Sequence, residues 1–239
     1  MPLIILALTF VIFLIVFHRR VGIPFLGKGK RGELIAASFL SSLPEKEYLI
    51  INDLMLKNGD YTSQIDHVVV SKCGVFVIET KNYQGIITGG ENSGNWTQNI
   101  YGHKYSLYNP VFQNQSHLSA VRKILRDNGK IKMISIVAFS GSATLRVMTG
   151  QANVIYSSQL PALIRSYSDE VLTSGQVQTI YTKLAEANVV DREARRLHKK
   201  DARAQAQKTE RKIASRICPR CGGARLLPQE MRQVLTRGR

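Results

Sequence analysis

Apolar residues along this chain fall into short runs separated by turn formers, and the densest pair of runs marks its centre. Val68-Val69-Val70 and Val75-Phe76-Val77-Ile78 are β-branched or aromatic stretches of the kind that fill buried strands. Ser71-Lys72-Cys73-Gly74 between them reads as a turn, so residues 64–82 are expected to form a hairpin. Upstream, Leu34, Ala37 and Leu40 recur at helical spacing and predict a helix over 33–43, stopped by Pro44. A first strand is expected at 48–52, followed by a turn signal at Lys57-Asn58-Gly59-Asp60. Downstream, residues 83–94 are rich in Gly and Asn and read as loop with a short strand at 86–88. Trp96 and Tyr101 fall on a next short hairpin, where both rings could stack on bases, Trp96 reading first as a core-rim residue. Asn109-Pro110 opens a long helix over 111–127, because proline's missing N–H has no intrahelical partner in the first turn. Strands at 132–139 and 154–156 and helices over 157–167 and 173–188 follow. Strands interleaved with helices predict an α/β core with a mixed sheet.

The two ends break this pattern. Residues 2–17, PLIILALTFVIFLIVF, carry no charge. As a helix they would reach roughly 24 Å at about 1.5 Å per residue, a little short of a bilayer core of about 30 Å. No basic residue precedes the run and no small-residue cleavage site follows it, which argues against a removed signal peptide. A buried core helix is the alternative. His18-Arg19-Arg20, then Lys28, Lys30 and Arg31, follow the run. The positive-inside rule then places one spanning helix in the cytoplasmic membrane with the remaining chain in the cytoplasm. Residues 22–32, with Pro24 and several glycines, read as a basic linker. Residues 189–216 hold ten Lys and Arg against four Asp and Glu with little apolar face, a solvated charged helix or a nucleic-acid-binding arm. The expected organisation is therefore an anchor with its flank (1–26), a folded domain (27–188), a basic connector (189–216) and a tail (217–239).

Charge narrows the choice of partner. The formal net charge of +16 over 239 residues favours polyanions, either nucleic acid or an anionic lipid surface. Three cysteines make no disulfide framework, which suits a reducing compartment.

The candidate chemistry lies in the central hairpin, where Asp66, Glu79 and Lys81 interrupt an apolar setting. A charge at the end of a buried strand is costly unless a partner, a metal or water compensates. Alternation along a strand puts Glu79 and Lys81 on one face and Thr80 on the other. Strand pairing would set Asp66 beside Glu79. Adjacent carboxylates raise each other's pKa unless a cation lies between them. A hard divalent ion such as Mg²⁺ (or Mn²⁺) would relieve that, and the lysine could position water. A salt-bridge cluster at a sheet edge is the plainer alternative.

The order Asp, apolar hairpin, apolar-Glu-x-Lys resembles the PD-(D/E)xK motif of restriction-endonuclease-like folds, and within that group the nuclease-related domain (NERD) family. The resemblance runs from about Gly32 to about Leu125 and includes Gly32-Glu33, Ile65-Asp66-His67, Gly74 to Asn82, Gly94-Asn95-Trp96, and Asn109-Pro110 followed by Gln113. It implies a restriction-endonuclease-like mixed sheet flanked by helices and a metal-dependent phosphodiesterase acting on DNA, with RNA second. Asp66, Glu79 and the backbone carbonyl of Ile78 would hold the metal, Lys81 would orient the attacking water, and Gln113 and Glu33 would assist. Gln113-x-x-x-His117 resembles a Gln-x-x-x-Tyr element of some relatives, with His in place of Tyr. Near the C-terminus Cys218-Pro219-Arg220-Cys221 resembles half of a zinc ribbon of the topoisomerase type. It offers two thiolates where structural Zn²⁺ takes four, as a truncated module or one sharing zinc between two chains. The alternatives to catalysis are a nucleic-acid-binding scaffold at the membrane, and a membrane-surface protein docked on anionic lipid.

Overall fold

The computed structural model describes residues 27–189, apart from 59 and 60. Residues 2–17, the connector beyond Val189, and Cys218 and Cys221 lie outside the described residues. No helix among the described residues is long and apolar enough to cross a membrane.

The chain enters through helix α1 (Lys28–Leu40) and a meander of β1 (Leu49–Asn58), β2 (Tyr61–Ser71) and β3 (Gly74–Lys81). Strands β4 (Gly85–Gly90), β5 (Asn95–Ile100) and β6 (His103–Tyr108) follow, then helix α2 (Pro110–Ile124). Strands β7 (Met133–Phe139), β8 (Ala143–Met148) and β9 (Asn153–Tyr156) precede helices α3 (Leu160–Arg165) and α4 (Ser174–Glu186). The strands form two mixed sheets, β1-β2-β3-β7-β9 and β6-β5-β4-β8, rather than the one expected. In the first, β2 runs antiparallel to β3, and β7 runs parallel to it.

Alternation along β3 divides the core. Val75 and Val77 pack with Leu118, Val121 and Ile180 of α2 and α4. Phe76 and Ile78 pack on the opposite face with Ala36, Leu40 and Ile164 of α1 and α3. A third cluster, with Ile87, Trp96 and Val111 around Phe139, joins the second sheet to the end of β7. Trp96 is fully buried, stacked on Phe139, with its indole N–H donated to the Gly90 carbonyl at 2.9 Å. Its core role holds, and the stacking role does not.

Several boundaries differ from expectation for physical reasons. Helix α1 begins at Lys28 inside the expected linker and ends at Leu40. Packing drives this: a Cβ added to Gly32 would lie 2.7 Å from the Asn82 Cβ, and Asn82 donates to the Lys28 carbonyl at 2.6 Å. Strand β1 runs past Asn52 to Asn58, taking in Lys57 and Asn58 of the expected turn. Asp53 has φ 56°, a kink after which register resumes at Leu54 opposite Ile65. Strand β4 is longer than 86–88, the long helix gives way to a 3-10 turn at Arg126–Asn128, and β8 was not among the expected strands.

Asn109 ties the second sheet to α2. Its side-chain oxygen caps the helix by accepting from the Val111 N–H at 2.9 Å. Its amide nitrogen donates to the carbonyls of Glu91 (2.8 Å) and Ser93 (2.7 Å). Asn109→Ala removes a cap and leaves those carbonyls unpaired. It should cost about 2–4 kcal/mol, seen as a lower urea midpoint at unchanged denaturant slope.

Candidate active site

The last turn of pleat in β3 carries the chemistry. Glu79 and Lys81 follow Val75 and Val77 on the α2 face, and Thr80 follows Ile78 on the α1 face, as period-two alternation requires. Glu79 is only 3% exposed. Its Oε1 accepts from the Lys81 ammonium at 2.6 Å, and its Oε2 lies 3.1 Å from His117 Nε2. A carboxylate only accepts, so His117 Nε2 carries a proton. Lys81 also donates to Gln113 Oε1 at 2.8 Å. Gln113 and His117 are one turn apart on α2, so one helix face grips both members of the pair.

Asp66 comes in from β2. Its Oδ2 accepts from the Thr80 backbone N–H at 2.8 Å and the Thr80 hydroxyl at 2.6 Å. Its other oxygen makes no hydrogen bond among the described residues. Burial pushes the Asp66 carboxyl up to about 7, helped next by the charge of Glu79, and the Thr80 hydrogen bonds only partly offset this. Glu79 behaves oppositely. Burial would raise it, but Lys81 and His117 together hold it below the usual carboxylate range. Burial would lower Lys81, but the charge of Glu79, that of Tyr83, the Glu79 hydrogen bond and the charge of Asp66 together outweigh it and keep the ammonium protonated. The two acids are thus unequal: Glu79 is neutralised within the protein, and Asp66 is not.

Glu33 hydrogen-bonds Lys30 at 2.7 Å on α1 and adds a weaker repulsion to Asp66. It lies beside the site, and its side chain pairs with Lys30 rather than with the β3 residues. Ile78 is a fully buried rung between His67 and Ile136, with its side chain on the α1 face. Among the described residues no three His, Cys, Asp or Glu side chains could hold an ion. An ion here would therefore take backbone and water oxygens besides its carboxylates, which is the habit of Mg²⁺. The oxygen donor set and the uncompensated charge on Asp66 fit such an ion.

A groove of about 640 Å³ opens alongside, lined by Lys28, Arg31, Thr80, Lys81, Gln98 and Ile100 among others. Hydrogen bonds thus join Glu79, Lys81, Gln113 and His117, while Asp66 is held apart by Thr80, near enough for the Glu79 charge to act on it. Two contributors were missed from the sequence. His117 was flagged by its one-turn spacing from Gln113 and its likeness to a Gln-x-x-x-Tyr element, but not as a partner of Glu79. Thr80, which anchors Asp66, carried no sequence signal beyond lying between Glu79 and Lys81.

Residues 28–140 match the nuclease-related domain family, a span that holds every residue of the site. An uncharacterized protein of Bacillus anthracis is 38% identical over 178 residues, covering 72% of this chain and 82% of that protein. No solved structure matches.

The raised pKa of Asp66 has a definite sign in stability. Between about pH 4, where the unfolded side chain ionises, and about pH 7, the folded protein holds a proton that the unfolded chain has lost. Stability without divalent ions therefore falls as pH rises through this window. Asp66→Asn should remove that slope. By chemical denaturation in a chelator, the variant should match wild type near the low end and exceed it by about 2–4 kcal/mol above pH 7.

Proposed function

The chain belongs to the nuclease-related domain family, and on that premise we propose that it is a membrane-anchored, metal-dependent nuclease hydrolysing DNA phosphodiester bonds on the cytoplasmic side. The observation that carries the reading is the hydrogen-bonded series Gln113–Lys81–Glu79–His117, whose Lys81 lines a basic groove together with Thr80, the residue that holds Asp66.

Asp66 and Glu79, with the Ile78 carbonyl, would hold Mg²⁺ or Mn²⁺. When bound, the ion would polarise a phosphoryl oxygen. The chain's own residues supply the rest. Lys81 has three N–H groups. Two are taken by Glu79 and Gln113, which leaves one for the incoming water or the phosphate. Because the ammonium stays protonated, Lys81 serves as a donor and positive charge against the developing negative charge, not as a base. Gln113 fixes the direction of that donor. His117 fixes the Glu79 carboxylate, and Thr80 fixes that of Asp66. Glu33 assists at a distance by holding Lys30 and adding to the negative field. The anchor is proposed from the uncharged residues 2–17 and their basic flank, which would meet membrane lipid.

A second reading is favoured by one observation. Both Glu79 oxygens already have partners, so the Glu79–Lys81 pair is balanced without an ion. On that reading the domain binds nucleic acid and does not cut it.

The test is plasmid cleavage by the purified full chain with Mg²⁺. Glu79→Gln and Lys81→Met keep side-chain volume and should each lower cleavage by about 10²-fold or more. Gln113→Ala should lower it less, on the order of tenfold. Independently of turnover, Mg²⁺ should raise the thermal midpoint of wild type and not that of Asp66→Asn. Equal cleavage by wild type and the Glu79 and Lys81 variants, with no Mg²⁺ stabilisation, would leave the binding-only reading in place.

A further inference from the structure

Strand register extends the groove beyond the residues that line it. On β5, Gln98 and Ile100 face the groove. Directly opposite them on antiparallel β6 stand Tyr105 and His103. Directly opposed residues share a sheet face, so Tyr105 and His103 carry the groove face outward to the sheet edge. Further along the same face, Trp96 and its partner Leu107 turn into the core. The groove face of this sheet therefore runs from the core, past Gln98, out to Tyr105, and Lys81 of the other sheet lines the same groove.

Tyr105 is 53% exposed, on the terminal strand of its sheet. Among the described residues its ring makes no ring contact, although a phenol of this size normally packs or pairs. Lys28 and Arg31 of α1 line the same groove. A basic wall together with a half-exposed aromatic floor is complementary to a strand of nucleic acid. The cations meet phosphates, and the ring meets a base. The ring selects the strand state, because a base inside a duplex has both faces covered by its neighbours. The groove volume of about 640 Å³ is that of a small-molecule cleft, typically about 300–1,000 Å³, which suits nucleotides entering one strand at a time.

We infer that this groove takes an unpaired strand of nucleic acid, with a base stacked on Tyr105 and flanking phosphates on Lys28 and Arg31, leading the strand to Lys81. The inference rests on the nuclease reading for the chemistry at Lys81. Strand choice itself is a binding property and can be measured without catalysis.

The experiment is fluorescence anisotropy with the full chain in a chelator, so that no cleavage occurs. The probes are a fluorescent oligo-dT and a duplex of equal length. Oligo-dT should bind at least about tenfold more tightly than the duplex. Tyr105→Ala should weaken oligo-dT binding by roughly tenfold, the effect of one lost stacking contact, and Tyr105→Trp should preserve it. Duplex affinity should be the same in all three proteins. Lys28→Ala with Arg31→Ala should make the salt dependence for oligo-dT shallower by about 1–2 in log-log slope. Tyr105 lies on the surface, and an unchanged thermal midpoint would show that its variants fold. Equal or tighter duplex binding, or an oligo-dT affinity indifferent to Tyr105→Ala, would overturn the inference. Strand preference with no cleavage under any divalent ion would sink only the nuclease reading. Cleavage without strand preference would sink only this one.

Discussion

A carboxylate and an ammonium 2.6 Å apart, at the end of a strand whose preceding residues are all buried, constrain everything near them. Neither charge is tolerable there alone. Desolvation costs several kcal/mol per ion, and only close, hydrogen-bonded contact offsets it. Glu79 and Lys81 do not achieve that by themselves, since each has hydrogen-bonding capacity left over. Gln113 and His117 take up part of it, and both depend on where α2 begins. That start is set by Asn109, whose amide also holds the carbonyls of Glu91 and Ser93. A chain of contacts thus leads from the second sheet through one asparagine to the buried pair. The second sheet is part of what keeps the pair aligned.

The α1 side of the site is built against local preference. Lys28, Lys30 and Arg31 occupy the first turn of the helix, where the dipole disfavours cations, and that turn holds no acidic residue of its own. The helix forms there because Gly32 allows its backbone to press on Asn82 at the end of β3, and Asn82 grips the Lys28 carbonyl. Lys30 feels the negative field of Glu33, Asp53 and Asp66, which helps hold it protonated despite burial. Where local rules are broken and tertiary contacts compensate, function is the usual reason. Here two of the misplaced cations, Lys28 and Arg31, line the same groove as Lys81.

What could be read from the sequence followed the range of the physics involved. The hairpin, its turn, and the shared face of Glu79 and Lys81 needed only period-two alternation and turn chemistry, and these held. Asn109-Pro110 announced a helix start by local rules, and it is one. The strand break after Asn52 failed because the Asp53 kink is accommodated within a continuous register, which only the partner strand reveals. The division into two sheets depends on β4 pairing with β8 across more than fifty residues, and no local pattern encodes that partner choice. His117 was visible as a spacing but not as a role. Its contact with Glu79 requires knowing that α2 crosses the α2 face of β3. Tyr105 carried no signal until register placed it opposite Gln98.

The inequality of the two acids separates the readings of the site. A structural ion pair would explain Glu79 and Lys81 completely, because burial, partners and protonation all balance between them. It does not explain Asp66. That carboxyl is mostly buried, feels the charge of a second acid, and accepts two hydrogen bonds from one threonine without recovering an ordinary pKa. An asparagine could accept the same bonds without the charge. A site that only stabilised the fold, or only bound phosphates through its cations, would be better served by that neutral side chain, since an extra buried anion weakens both. The anion makes physical sense where a further positive charge joins the site, and the donors around it are the oxygens that a hard divalent ion prefers.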